Sequence, residues 1–255
     1  MASKKDNSSN KPIEKIHAVG KDEDVETEVL AIVDKSGSMG SIRDDAIGGF
    51  NQFLSDQKEV EGKATMTVVL FDNEYDVYCE NKPVGEVEPF TTMTYVPRGS
   101  TALLDAVGRS VNSLMQRDPK KAVVCILTDG QENASREFTK EQVKKMLEKC
   151  EKKDWLVLYL SADVNAFSDA ESMGISGNRT MSFTSNAKGA NVAPMAMSYA
   201  TSDYRRMGRM GFNSSGGMAV YGCRASSNYD SSHDIGLDHM MSRNATKGKH
   251  KSSTK

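Results

Sequence analysis

Val29-Leu30-Ala31-Ile32-Val33-Asp34-Lys35-Ser36-Gly37-Ser38-Met39-Gly40 is the stretch on which the reading of this chain turns. Its first five residues form an unbroken apolar run that ends in a carboxylate and a turn of serine and glycine. A strand that is apolar on both faces is covered on both faces, which implies a parallel sheet flanked by helices. The runs Ala122 to Leu127 and Leu156 to Leu160 repeat the signal further along. Ala64 to Phe71 makes a fourth run, and after Asp72-Asn73-Glu74 comes Tyr75 to Cys79, a pair that predicts a hairpin at a sheet edge.

Helical spacing fills the gaps between these runs. Ile42, Ala46, Phe50 and Leu54 form one stripe, and Leu103, Leu104, Val107, Val111 and Leu114 another. Thr139 and Gln142 predict a capping box ahead of Val143, Met146, Leu147 and Cys150. Gly48 and Gly49 stand inside the first helix at a cost in propensity, which predicts a close helix-to-sheet approach there. A short helix is expected near Ala166 to Met173, an edge strand at Thr180 to Phe183, and a last helix starting near Pro194 and ending at Met207, with the proline in its first turn. The fold class that follows is α/β: a doubly wound, Rossmann-like, mostly parallel sheet with one antiparallel edge strand and helices on both faces.

With 255 residues, 38% hydrophobic and 27% charged, the chain suits one folded domain with polar ends. Residues 1–24 are Lys, Asp, Ser and Asn without an apolar run, so neither a signal-peptide core nor a membrane anchor is expected, and the protein is expected in the cytoplasm. Residues 211–255 are rich in Ser, Gly, Asn and Lys, with little periodicity. Both segments are read as flexible tails around a domain at 25–210. Cys79, Cys125, Cys150 and Cys223 are far apart with no CxxC spacing and read as reduced thiols.

The polar residues fall where ligands bind in such sheets, at the carboxyl ends of strands where the order reverses. Asp34 follows the first run directly and Asp129 stands two residues beyond Leu127. Asp34, Ser36 and Ser38 alternate, so an extended loop turns one carboxylate and two hydroxyls the same way. With the Thr101 hydroxyl and the Asp129 carboxylate they supply hard oxygen ligands of the kind Mg²⁺ takes, and Mn²⁺ or Ca²⁺ accept the same set.

Asp34-x-Ser36-x-Ser38, Gly99-Ser100-Thr101 and Thr128-Asp129-Gly130, in this order and after the right elements, resemble the metal-ion-dependent adhesion site of von Willebrand factor type A (vWA) domains. Ser38 to Asp45 and Thr128 to Glu137 are similar to intracellular bacterial and bacteriophage members of that family. The resemblance covers roughly Val25 to Met207. It implies that Asp34, Ser36, Ser38, Thr101 and Asp129 hold a divalent ion whose open position is completed by an Asp or Glu of a protein partner. A structural or assembly protein with a purely structural metal is the alternative, and a metal hydrolase a weaker one.

No enzyme is expected. His17, His233, His239 and His250 all lie in the presumed tails, and HExxH, P-loop and GxSxG motifs are absent. Ser185 and Lys188 match SxxK only in a loop with nothing to support it. Glu132 and Arg136 read as solvated helix-start residues before they read as a rim to the site. Trp155 and the methionines Met195, Met197, Met207 and Met210 read as packing. A net charge of −2 gives no global field for nucleic acid; the basic run Arg243, Lys247, Lys249, Lys251 and Lys255 is the only hint of such binding.

Overall fold

The computed structural model describes residues 25–207 except 162–164, 176 and 183–188. Both expected tails, all four histidines, Cys223, Phe183, Met210, the Ser185 and Lys188 pair and the basic C-terminal run lie outside the described residues. In chain order the elements are β1 (Thr27–Asp34), α1 (Arg43–Lys58), β2 (Ala64–Phe71), β3 (Tyr75–Pro83), α2 (Leu103–Arg117), β4 (Lys121–Thr128), α3 (Lys140–Lys152), β5 (Leu156–Ser161), α4 (Ala166–Ser172), β6 (Thr180–Ser182) and α5 (Gly189–Met207). A 3-10 segment of six residues, Gly37–Ile42, leads into α1.

These strands form one sheet in the order β3-β2-β1-β4-β5-β6. All neighbours are parallel except β3, which runs antiparallel to β2 at the edge. The doubly wound α/β reading therefore holds, including its antiparallel edge strand. The alternation along β1 shows why the run had to be apolar throughout: Val29, Ala31 and Val33 enter the core with Phe50, Leu54, Met197 and Tyr204, from α1 and α5. Leu30 and Ile32 enter the opposite core with Val107, Leu114 and Leu147, from α2 and α3. The chain leaves β1 on one side for β2 and returns on the other as β4, so the order reverses at the carboxyl ends of β1 and β4.

The predicted capping box is present: Thr139 Oγ1 accepts from the Gln142 N–H at 3.3 Å, and Gln142 Oε1 accepts from the Thr139 N–H at 2.8 Å. Trp155, just before β5, is 1% exposed and its indole N–H donates to the Pro119 carbonyl. Met197 is core, whereas Met195 is half exposed.

Two readings need correction. The last helix begins at Gly189, so Pro194 lies inside α5 rather than in its first turn. The missing N–H costs one helical bond near the start of α5, and the ring is buried against α1 in return. Its seat is Gly49: a Cβ there would lie 2.5 Å from Pro194 Cγ. Gly49 thus marks a helix-to-helix approach, not the helix-to-sheet approach predicted, and Gly48 has open space where a side chain would go.

Candidate metal centre

Asp34 ends β1 and Thr128 ends β4, side by side at the point where the strand order reverses. The Thr128 hydroxyl donates to Asp34 Oδ2 at 2.6 Å and the Ser36 N–H donates to Oδ1 at 2.6 Å, so the carboxylate is fixed at both oxygens. Beyond it, the Ser36 and Ser38 hydroxyls lie 3.1 Å apart, and Ser38 donates to Asp129 Oδ1 at 2.7 Å. Thr101 joins from the loop ahead of α2. A Cβ placed on Gly130 would stand 3.1 Å from Thr101 Oγ1, 3.3 Å from Ser38 Oγ and 3.8 Å from Ser36 Oγ. Three hydroxyls from two loops therefore face one space, which the missing side chain of Gly130 leaves open.

The sequence matches no protein-family model and no curated relative. Solved structures do match the fold. Proximal thread matrix protein 1 from the mussel byssus, in a structure with a zinc-occupied adhesion-site motif, is 14% identical with a TM-score of 0.53 over 71% of this chain. The match spans only 47% of that protein's chain. The PilB minor pilin from Streptococcus sanguinis is 12% identical, with a TM-score of 0.52, over 75% of this chain and 63% of its own. The vWF domain of a type V pili tip protein from Porphyromonas gingivalis is 11% identical, with a TM-score of 0.54, over 70% of this chain and 95% of its own.

The fold is that of a vWA domain.

Within this vWA fold the five residues singled out in the sequence, Asp34, Ser36, Ser38, Thr101 and Asp129, are brought together at one end of the sheet. Burial raises the Asp34 carboxyl to about 6; hydrogen bonds from Thr128 and Ser36 pull it down, and the charge of Asp129 adds to the rise. Asp34 is buried and Asp129 partly buried, and a cation close to both would offset the charge each places on the other. Among the described residues no group of three or more His, Cys, Asp and Glu side chains is arranged to hold a metal. An ion at this end of the sheet would rest on hydroxyls plus the Asp34 and Asp129 pair, a donor set that suits a hard ion.

The loops that carry these residues are held by Asn133, Glu132 and Asp105, contacts that the sequence reading did not foresee. The Asn133 and Ala134 N–H groups both donate to the Thr101 carbonyl, and Asn133 Oδ1 accepts from the Thr101 N–H at 2.9 Å. Glu132 accepts from the Leu104, Ala134 and Ser135 N–H groups and from the Ser135 hydroxyl. It therefore caps α2 from the next loop while remaining partly exposed, a role that neither expected reading gave it; Arg136 is exposed. Asp105 accepts the N–H groups of Arg136, Glu137 and Phe138. Burial would raise its carboxyl, but these three bonds hold it below the usual carboxylate range. Thr101 itself makes no helix cap, since Ala102 stands between it and α2.

On the other flank, the buried Tyr95 hydroxyl donates to the Asp34 carbonyl, and its ring stacks on Phe90, which stacks on Phe50 of α1. The loop carrying Tyr95 also holds Met93, 86% exposed, and Val96, 49% exposed, at the same end of the sheet as the carboxylates. No helix among the described residues is long and apolar enough to cross a membrane.

Proposed function

We propose that this chain is a metal-dependent protein-interaction module. Asp34, Ser36, Ser38, Thr101 and Asp129 hold one divalent ion, and a partner's Asp or Glu completes its shell. The observation that carries this reading is the convergence of the Ser36, Ser38 and Thr101 hydroxyls beside Gly130, with Asp129 hydrogen-bonded to Ser38. Neutral hydroxyls leave much of the ion's charge unbalanced, so a further carboxylate is attracted in place of water. Mg²⁺ is the ion proposed; Mn²⁺ and Ca²⁺ share its preference for oxygen.

The occurrence of a zinc-occupied adhesion-site motif in the mussel matrix protein, which shares this fold, supports the class of site. The module is proposed to act by binding and not by catalysis, because the site offers carboxylates and hydroxyls but no separate base to activate water. A bacterial or phage protein of the cytoplasm is part of the same proposal; the unpaired state of Cys79, Cys125 and Cys150 supports the reducing compartment alone.

Affinity capture from native lysate in Mg²⁺ and in chelator tests the function. A partner retained only with Mg²⁺, and lost with Thr101→Ala, is the expected result. A partner list indifferent to metal would leave the ion a structural role.

A further inference from the structure

Asp72 is not among the five residues read as ligands, yet it touches every loop that carries them except the last. The side chain of Lys35, the residue between Asp34 and Ser36, is 5% exposed and pairs with Asp72 Oδ2 at 2.5 Å and with Asp76 at 3.1 Å. Asp72 is fully buried. Its Oδ1 accepts the Glu74 N–H at 2.6 Å and its Oδ2 also accepts Arg98 Nε at 3.0 Å. The Asp72 carbonyl accepts the N–H of Ala102, next to Thr101, at 2.9 Å. Arg98 closes the circuit, because its own N–H donates to the Lys35 carbonyl at 2.8 Å. Asn73 packs over Gly99, whose φ of +68° and lack of a side chain let the two loops meet.

The register explains the placement. Asp34 pairs with Phe71 across β1 and β2, so Lys35 and Asp72 are the next residues at the ends of two adjacent strands. Burial would raise the Asp72 carboxyl, but the bonds from Lys35, the Glu74 N–H and Arg98 hold it below the usual carboxylate range, so it is charged at neutral pH.

We infer that Asp72 is a positioning residue for the metal site: through Lys35 and the Arg98 to Ala102 segment it sets the spacing between the serine loop and Thr101. A buried ion pair contributes little net stability against a hydrophobic substitute but fixes one arrangement of the groups it joins. Outer residues that orient metal ligands typically change affinity by roughly 10–100-fold when replaced. The inference rests on the proposed metal site, and it assigns that site a device which no ligand motif contains.

Calorimetric titration with Mg²⁺ and Mn²⁺ on Lys35→Met, Asp72→Asn and the double variant tests it, with melting in chelator as the companion measurement. Each single variant is expected to lose roughly 10–100-fold in ion affinity, and the double variant to lose no more than the worse single, because both break one clamp. If the pair acted only through its charge, Lys35→Met would bind the ion more tightly and Asp72→Asn more weakly; opposite signs overturn the inference. Melting temperatures that fall while affinity stays within twofold of wild type overturn it too. Should Asp72→Asn fail to fold, Lys35→Met decides alone, since Asp72 keeps Arg98 and the Glu74 N–H as partners. A wild-type chain that binds neither ion would remove the metal site itself, an outcome separate from failure of the clamp.

Discussion

The hydroxyl of Ser38 donates to Oδ1 of Asp129 at 2.7 Å, joining the loop after β1 to the loop after β4. Its oxygen retains lone pairs for an ion while its O–H stays directed at the carboxylate, so the pair can serve as ligands without breaking. Ser38→Ala removes a ligand and the hydrogen bond together. Ion affinity should fall at least about tenfold, while stability in chelator changes by less than about 1 kcal/mol, because the pair is exposed. Paired titration and melting curves check both halves of this expectation.

The raised Asp34 carboxyl makes ion binding dependent on pH. Its pKa rises from 3.8 to about 6 on folding, so between these values the folded chain carries a proton that the unfolded chain has shed. In chelator, Asp34's contribution to stability therefore declines as pH rises through that window, by on the order of 3 kcal/mol in all, and is level above it. An ion competes with the same proton, so affinity should rise with pH up to about 6 and then flatten. Titrations at pH 5 and pH 7.5 should differ, and Asp34→Asn should abolish the difference.

Adjacent glycines in α1 should respond in opposite directions. Gly49→Ala drives a methyl into the Pro194 ring and should cost about 1–3 kcal/mol. Gly48→Ala meets open space in a helix and should gain about 0.5–1 kcal/mol. Denaturant melts of the two variants give the signs directly.

The strands and the five converging residues were legible because each signal is local. An apolar run such as Val29 to Val33 states its own burial, and alternation from Asp34 to Ser38 states which side chains share a direction. What escaped depends on partners far along the chain. Glu132 caps a helix that begins 29 positions earlier, at Leu103, and Asp72 meets Lys35 only because β1 and β2 pair in one particular register. Pro194 was read by its helical preference alone, whereas its position is decided by the cavity that Gly49 leaves on another helix. The Lys35 side chain gave no sign of burial, since lysine is ordinarily a solvated residue.

At the other end of the sheet, Arg205 of α5 donates to the carbonyls of Gln57, Val60 and Gly62 where α1 ends. Burial, then the charge of Arg206, lowers its pKa to about 10, so it stays charged at neutral pH. Arg205→Met orphans these carbonyls and should cost about 1–3 kcal/mol. Ion affinity should not change, since the residue sits opposite the carboxyl ends of β1 and β4. Melting and titration of this one variant separate a fold defect from a site defect.

Ion binding by Asp34 and Asp129 is the claim on which the account stands. Calorimetric titration of Mg²⁺ and Mn²⁺ into wild type, Asp34→Ala and Asp129→Ala, each shown folded by circular dichroism, tests it most directly. One ion per wild-type chain, with most of the binding lost in both variants, is the predicted result; undiminished binding in both would contradict the account.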